Sequence, residues 1–270
     1  MVSVAEFRTI IRRNYRLYGR HDMPWRKTWD PYHVLISEIM LQQTQVSRVA
    51  PFYEKFIKCY PNFRALARAK TSDVLRAWQG LGYNRRALAL QRLAKEVIEK
   101  HGGRLPEDFI ELTALPGIGN YTAGAIRTFA FDKPEIFIET NIRRVFIHFF
   151  FPRRLNVTDA RLKRYIERTL DEKNPREWYY ALMDYGAKLG EDIKNPNRRS
   201  AHYVRQSVFT GSDRQIRGKI LRESLACKKI TMLALAKKIK EPRARMDKIV
   251  RGLILEGFLK EKSGFLVVAD

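Results

Sequence analysis

The sequence predicts an all-α protein, and three observations predict it. Apolar residues recur at helical spacing through most of the first 210 or so positions. Sustained strand alternation is missing until the final segment. Glycine, proline and asparagine punctuate the periodic stretches.

Ile36, Ile39, Met40 and Val46 mark a helix around Glu38. Val74, Leu75 and Trp78 mark another, and Leu88, Leu90, Leu93, Ala94 and Val97 another. Breaks fall at Gly80, Gly82, Gly102, Gly103, Pro106, Pro116 and Pro134. Phe146–Phe151 is an apolar run broken only by His148, with the composition of a strand. Asn141–Val145 leads into it without a turn signal, so it reads as buried helix. The pattern changes near Gly211-Ser212-Asp213. Helices are expected at Arg214–Leu225, at Thr231–Ile239 behind a capping threonine, and at Arg243–Leu255. The tail Phe258–Val268 alternates about a turn at Lys262-Ser263-Gly264. Three short helices followed by a hairpin is the layout of a winged helix. Two domains are therefore expected, 1–211 and 212–270. The layout suits DNA binding, packing or dimerisation equally, because fold does not fix function. No internal repeat or low-complexity linker is visible.

Hydrophobic residues make up 45% of the 270, enough for a core. Lysine and arginine number 52 against 29 acids, a net charge of +23. Such an excess points to a polyanionic partner ahead of a merely solvated surface. Ribosomal association or an anionic membrane surface would satisfy the same charge. The two cysteines, Cys59 and Cys227, exclude a disulfide framework and a four-cysteine metal site. No apolar run reaches membrane-spanning length. A monomeric, soluble, intracellular protein is expected, cytoplasmic or nucleoid-associated, with no membrane partner.

Leu115-Pro116-Gly117-Ile118-Gly119 precedes Asn120-Tyr121-Thr122-Ala123-Gly124-Ala125. Pro116 and the two glycines make a tight turn between helices. Backbone amides then face outward at the start of the second helix, where they and the helix dipole attract a phosphate oxygen. Such a contact, through Pro116, Gly117, Gly119 and Asn120, ignores base sequence. An ordinary turn between two helices would need less of this pattern.

The segment resembles the helix-hairpin-helix DNA glycosylase superfamily. Further motifs narrow the resemblance to the adenine glycosylase (MutY) branch. They are Pro24-Trp25-Arg26, Asp30-Pro31-Tyr32, Ser37-Glu38-Ile39-Met40-Leu41-Gln42-Gln43-Thr44-Gln45-Val46 and Trp78 with Gly80-Leu81-Gly82-Tyr83 and Arg86. Asn141-Ile142-Arg143-Arg144-Val145 and Met183-Asp184-Tyr185-Gly186-Ala187 complete the set. The resemblance covers about residues 5–210. It implies a helix-hairpin-helix glycosylase domain acting on double-stranded DNA with a mismatched or damaged base.

Cleaving an N-glycosidic bond builds positive charge on the sugar and negative charge on the departing base. An acid and a carboxylate meet those two demands. The target base must also leave the stack and enter a pocket. Glu38 lies among Ile36, Ile39, Met40 and Leu41, and partial burial would raise its pKa toward general-acid work. Taken alone, a salt-bridged helix carboxylate is the commoner explanation. The resemblance makes Glu38 the acid that protonates adenine and later activates water.

Other roles come from the resemblance as well. The family's second carboxylate is an aspartate, and here the segment reads Ile138-Glu139-Thr140-Asn141, one methylene longer. Glu139 takes the cation-stabilising role and Asn141 a hydrogen-bonding role near sugar and water. Without the resemblance, Glu139 is an acid at a helix N-terminus. Tyr121 stands where a lysine would attack the sugar as a Schiff-base nucleophile. Base removal without strand cleavage is implied. Trp25, Arg26 and Asp184 match the adenine pocket. Gln43, Leu81 and Tyr83 match residues that wedge into the duplex. Thr113, Leu115 and Ile118 match positions whose carbonyls bind a monovalent cation.

The sequence departs from this family in two places. Family members of this type carry a four-cysteine iron–sulfur loop, whose ligands would fall near Gly190, Asn197, Ser200 and Gln206. A cluster needs thiolates, so none is expected, and no other cofactor. Residues 212–270 are too few for the domain that senses 8-oxoguanine. Three readings follow: removal of adenine opposite G or 8-oxoguanine, removal of thymine or uracil opposite G, or a non-catalytic DNA-binding protein.

Overall fold

The computed structural model describes residues 2–205, 208–227 and 229–270. Helices α1 (Val4–Tyr18), α2 (Pro31–Leu41), α3 (Val46–Cys59), α4 (Phe63–Arg68), α5 (Thr71–Trp78) and α6 (Arg85–Lys100) come first. Then follow α7 (Phe109–Ala114), α8 (Asn120–Phe131), α9 (Thr140–Phe150), α10 (Asp159–Thr169) and α11 (Pro175–Asp192). Helices α12 (Asp213–Ala226), α13 (Met232–Ile239) and α14 (Arg243–Leu255) precede strands β1 (Leu259–Lys262) and β2 (Phe265–Val268). The fold is all-α apart from this one hairpin among the described residues. The apolar run at 146–151 is helical from Phe146 to Phe150, as its lead-in implied, and Phe151 caps the helix. No helix among the described residues is long and apolar enough to cross a membrane.

The chain forms two compact units, Met1–Glu38 with Pro106–Arg205, and Ile39–Leu105 with Gln206–Asp270. In the first unit α1 packs against α11, and α9 lies along α11. α1 starts on Ser3, whose hydroxyl accepts from the Glu6 amide, and buries Phe7, Ile11 and Tyr15 at a spacing of four. Gly186 of α11 permits a close approach, since a Cβ there would collide with the Asn141 carbonyl at 2.3 Å. Phe137 stacks on Tyr179 at 4.0 Å and Phe129 on Tyr180 at 4.5 Å, an aromatic layer behind α8.

In the second unit α6 packs on α4 and α5, and α12 packs on α5. The α12–α14 segment carries the threonine cap read from sequence and a serine cap beside it. Ser212 accepts from the Gln215 amide and Thr231 from the Ala234 amide. Leu259 pairs with Val268 and Lys262 with Phe265, leaving Ser263 (φ 50°) and Gly264 (φ 73°) as a two-residue hairpin turn. Cys59 and Cys227 are free thiols.

Candidate active site

α2 carries Glu38 on a helix that is buried nearly all round, from Val34 to Met40. Glu38 is only 6% exposed. Its Oε2 accepts a hydrogen bond from the Tyr121 hydroxyl at 3.1 Å. Burial pushes the Glu38 carboxyl up to about 7; the Tyr121 bond opposes this and the charge of Glu139 adds to it. Tyr121 sits in the first turn of α8 and rests edge-on against Phe137. Burial and the neighbouring carboxylates push its phenol well above the ordinary range, so it stays protonated and donates to Glu38.

Glu139 is the N-cap of α9. Its Oε1 accepts from the amides of Asn141 at 2.6 Å and Ile142 at 2.9 Å. The extra methylene therefore folds back onto the helix that begins at the next residue. Oε2 has a long contact of 3.4 Å with Asn141 Nδ2. Burial raises the Glu139 pKa, against the two cap amides and the charges of Arg144 and Arg143. Arg144 donates to Asn141 Oδ1 at 3.0 Å, to Asn195 Oδ1 at 3.2 Å and to the Gly186 carbonyl. It thereby fixes Asn141 between two helices.

Asp184 and Arg26 face each other. Asp184 is 5% exposed and accepts from Arg26 Nη1 at 2.7 Å and Nη2 at 2.8 Å, from the Arg20 amide at 2.8 Å and from Arg20 Nε at 2.7 Å. Those bonds occupy the acceptor sites of a carboxylate. Asp184, expected in the base pocket with Arg26, forms an ion pair that holds Arg26. Burial raises the Asp184 pKa, but Arg26 and Arg20 outweigh it and keep the carboxyl below its usual range. The Arg26 guanidinium lies 4.3 Å above the Tyr180 ring. Its Nε is buried and has no hydrogen-bond acceptor. Trp25 is buried beside it in the same short turn, Pro24–Arg26. Arg176 anchors that turn by donating to the Thr28 carbonyl at 2.5 Å and the Arg26 carbonyl at 3.1 Å.

The hairpin joins α7 to α8. Gly117 has φ 81°, a conformation that favours glycine. Gly119 has an ordinary backbone, caps α8 without a side-chain bond, and a Cβ there would meet nothing within 4 Å. The space beside it, at the N-terminus of α8, is open. Asn120 is exposed and Pro116 half-buried. Leu115 and Ile118 are buried, and the Leu115 carbonyl accepts from the Ile118 amide at 3.2 Å. Thr113 lies in the last turn of α7.

Gln43, Leu81 and Tyr83 belong to the second unit. Gln43 is exposed with φ 55°, and Tyr83 is half-buried with φ 49°. Leu81 is 2% exposed and packs inside its unit, so it is not presented as a wedge. Arg86 links the two loops. Its Nη1 donates to the carbonyls of Ile39 (2.9 Å), Met40 (2.8 Å) and Gln42 (2.5 Å). Its Nη2 donates to Thr44 Oγ1 at 3.0 Å and the Gly82 carbonyl at 3.1 Å. Burial lowers its pKa to about 10.

The residues present do not fit an iron–sulfur cluster, which requires thiolates. Gly190 lies against Arg144, Asn197 donates to the Thr140 carbonyl at 2.9 Å, and Ser200 bridges to Val157. Gln206 lies outside the described residues. Arg20, Arg144 and Arg176 were not assigned roles from sequence. Arg144 alone had a signal, its place in the Asn141–Val145 motif.

Residues 36–175 match the HhH-GPD superfamily of base excision DNA repair proteins. The adenine DNA glycosylase of Buchnera aphidicola subsp. Baizongia pistaciae is 37% identical over 193 residues, 70% of this chain. The chain spans 54% of that relative's length, about half. The thymine/uracil-DNA glycosylase of Pyrobaculum aerophilum is 32% identical over 195 residues, 70% of this chain and 84% of its own. The solved structure of a thermostable thymine-DNA glycosylase superposes with a TM-score of 0.60 at 32% identity, covering 68% of this chain and 84% of that one. The matched segment contains Glu38, the hairpin, Glu139 and Asn141, and the chain belongs to the HhH-GPD superfamily of base excision DNA repair proteins.

Proposed function

We propose that the chain is a monofunctional DNA glycosylase that hydrolyses the N-glycosidic bond of a mispaired base in duplex DNA. The observation that carries this reading is Glu38, a buried carboxyl with a pKa near 7, bonded to Tyr121 and electrostatically coupled to Glu139. Glu38 donates its proton to a ring nitrogen of the flipped base. The C1′–N bond breaks and its electron pair leaves with the base. Glu139 stabilises the sugar cation through its less engaged oxygen. Glu38, now a carboxylate, takes a proton from water as the oxygen adds to C1′, and its acid form is restored.

Arg26, set by Asp184, lines the base pocket beside Trp25. The open Gly119 edge takes a backbone phosphate on the α8 amides. Thr113, Leu115 and Ile118 would offer their backbone carbonyls to a monovalent cation there. Tyr121 has no amine and forms no imine, so the product is an intact strand with an abasic site.

Adenine opposite G or 8-oxoguanine is the first substrate, since Glu38 supplies the proton that a departing purine needs. Thymine or uracil opposite G is the second, favoured by the likeness to the thymine/uracil enzyme. A single-turnover panel of A·G, A·8-oxoG, T·G and U·G duplexes tests both. Alkali-labile sites without spontaneous cleavage or borohydride-trapped adduct are expected on one pair. Glu38→Gln is expected to lower that rate by about 10²–10⁴-fold, the range for loss of a general acid–base. Binding with no base release on any duplex would leave a DNA-binding protein instead.

A further inference from the structure

The three-helix segment that ends the chain packs within its unit through one set of residues and leaves another set exposed. α12 meets α5. Glu256, just after α14, takes Arg85 and Arg217 at 2.6 Å, and Arg92 donates to its carbonyl at 3.1 Å. Asp270 accepts from the Ser72 amide at 2.7 Å. These contacts fill the packing role that the sequence left open for the segment.

None of them uses the outer stripe of α14. That helix buries Met246, Ile249, Val250 and Leu253. Ala244, Lys248 and Arg251 are exposed at a spacing of four and three, on one helix face, with Arg243 beside them. The nearby acids are engaged elsewhere. Glu241 pairs with Arg245, and Glu256 with Arg85 and Arg217. Asp247 lies 3.9 Å from Arg243, leaving the stripe net positive. α13 and α14 are joined by only Lys240-Glu241-Pro242, with Lys240 in the left-handed conformation (φ 57°). A turn of this length between two helices is the length found in helix-turn-helix motifs, whose second helix enters the major groove. Leu233 and Leu255 are exposed singly and do not make an apolar patch.

We propose that the exposed face of α14 is a second DNA contact, docking on duplex phosphates through Arg243, Lys248 and Arg251 independently of any lesion. Charge complementarity and the short α13–α14 connection favour duplex DNA over a protein partner. The contact holds the protein on undamaged DNA and so raises the local concentration of DNA at its other surfaces.

The test uses the full chain and an undamaged duplex. Arg243→Ala/Lys248→Ala/Arg251→Ala is compared with Lys55→Ala/Lys58→Ala/Lys95→Ala, which removes equal charge from exposed sites on α3 and α6. The α14 triple is expected to raise Kd by about tenfold or more and to flatten the salt dependence of log K by about 2–3, close to 0.9 per phosphate contact. The control is expected to change Kd by less than about threefold. Lys248→Ala alone, at an exposed site, gives the same direction if the triple folds poorly. Equal losses in both triples, or an unchanged Kd and slope in the α14 triple, overturn the proposal. So does a wild-type dimer that the α14 triple dissolves while DNA affinity stays intact, which would assign the face to a second copy. Base release at saturating protein is expected to be unchanged. If the parent releases no base from any duplex, the glycosylase reading fails and the affinity comparison still decides this one.

Discussion

Glu38 is held where ionising it opposes folding. Its folded pKa of about 7 lies above the usual 4.5, because the desolvated carboxylate has one hydrogen bond and a like charge nearby. Between those two pH values the folded chain keeps a proton that the unfolded chain has released. Stability therefore falls as pH rises from about 4.5 to 7 and is level above that. Glu38→Gln keeps an acceptor for Tyr121 and removes the penalty. The variant is expected to exceed the parent at pH 8 by up to about 3 kcal/mol, a gap closing toward pH 4. Urea unfolding across that range checks it; parallel profiles would place the ionised carboxylate in an ordinary environment. The burial was legible, since Ile36, Ile39 and Met40 surround Glu38 in sequence. The Tyr121 bond was not, because its partner is 83 residues away. The Arg20 and Arg26 bonds to Asp184 span more than 150 residues, and only folding brings them together.

At the scale of elements, two loops depend on one guanidinium. Gln43 and Tyr83 each hold a left-handed backbone without being glycine, a strained choice that surrounding structure must enforce. Arg86 enforces it by binding the Gln42 and Gly82 carbonyls together with the last turn of α2. Lysine carries one ammonium in place of a planar fork and cannot span those acceptors. Arg86→Lys leaves buried carbonyls unmet and is expected to cost about 3 kcal/mol or more. Denaturant midpoints measure this, and a loss below about 1 kcal/mol would mean the loops hold themselves. The motif around Gly80–Arg86 was visible in the sequence, and its apolar and aromatic members read as the wedge. Leu81 packs inward instead. A glycine turn followed by leucine does not say which way the side chain points until the helices on either side are placed. The bounds of α12–α14, by contrast, were legible to within a residue, because helical periodicity and a cap such as Thr231, which acts on the amide three residues on, are local.

For the whole molecule, the dominant long-range quantity is the charge of +23. If duplex DNA is the partner, affinity must fall steeply with salt. For six to ten phosphate contacts the loss between 50 and 200 mM is about 10³–10⁵-fold. A salt-insensitive Kd would remove the electrostatic basis of every DNA contact described above. The class of fold was legible because helical periodicity is local. The division into units was not, since it rests on contacts between distant segments: the chain visits the first unit, then the second, then returns to each. That alternation constrains biosynthesis. As the ribosome releases the chain from its N-terminus, Ile39–Leu105 emerges long before the segment that completes its unit. Its apolar surface must wait, exposed, through the synthesis of about a hundred intervening residues. No single cut yields either unit whole, so deletion of the last segment should leave a chain prone to aggregate rather than a smaller working enzyme.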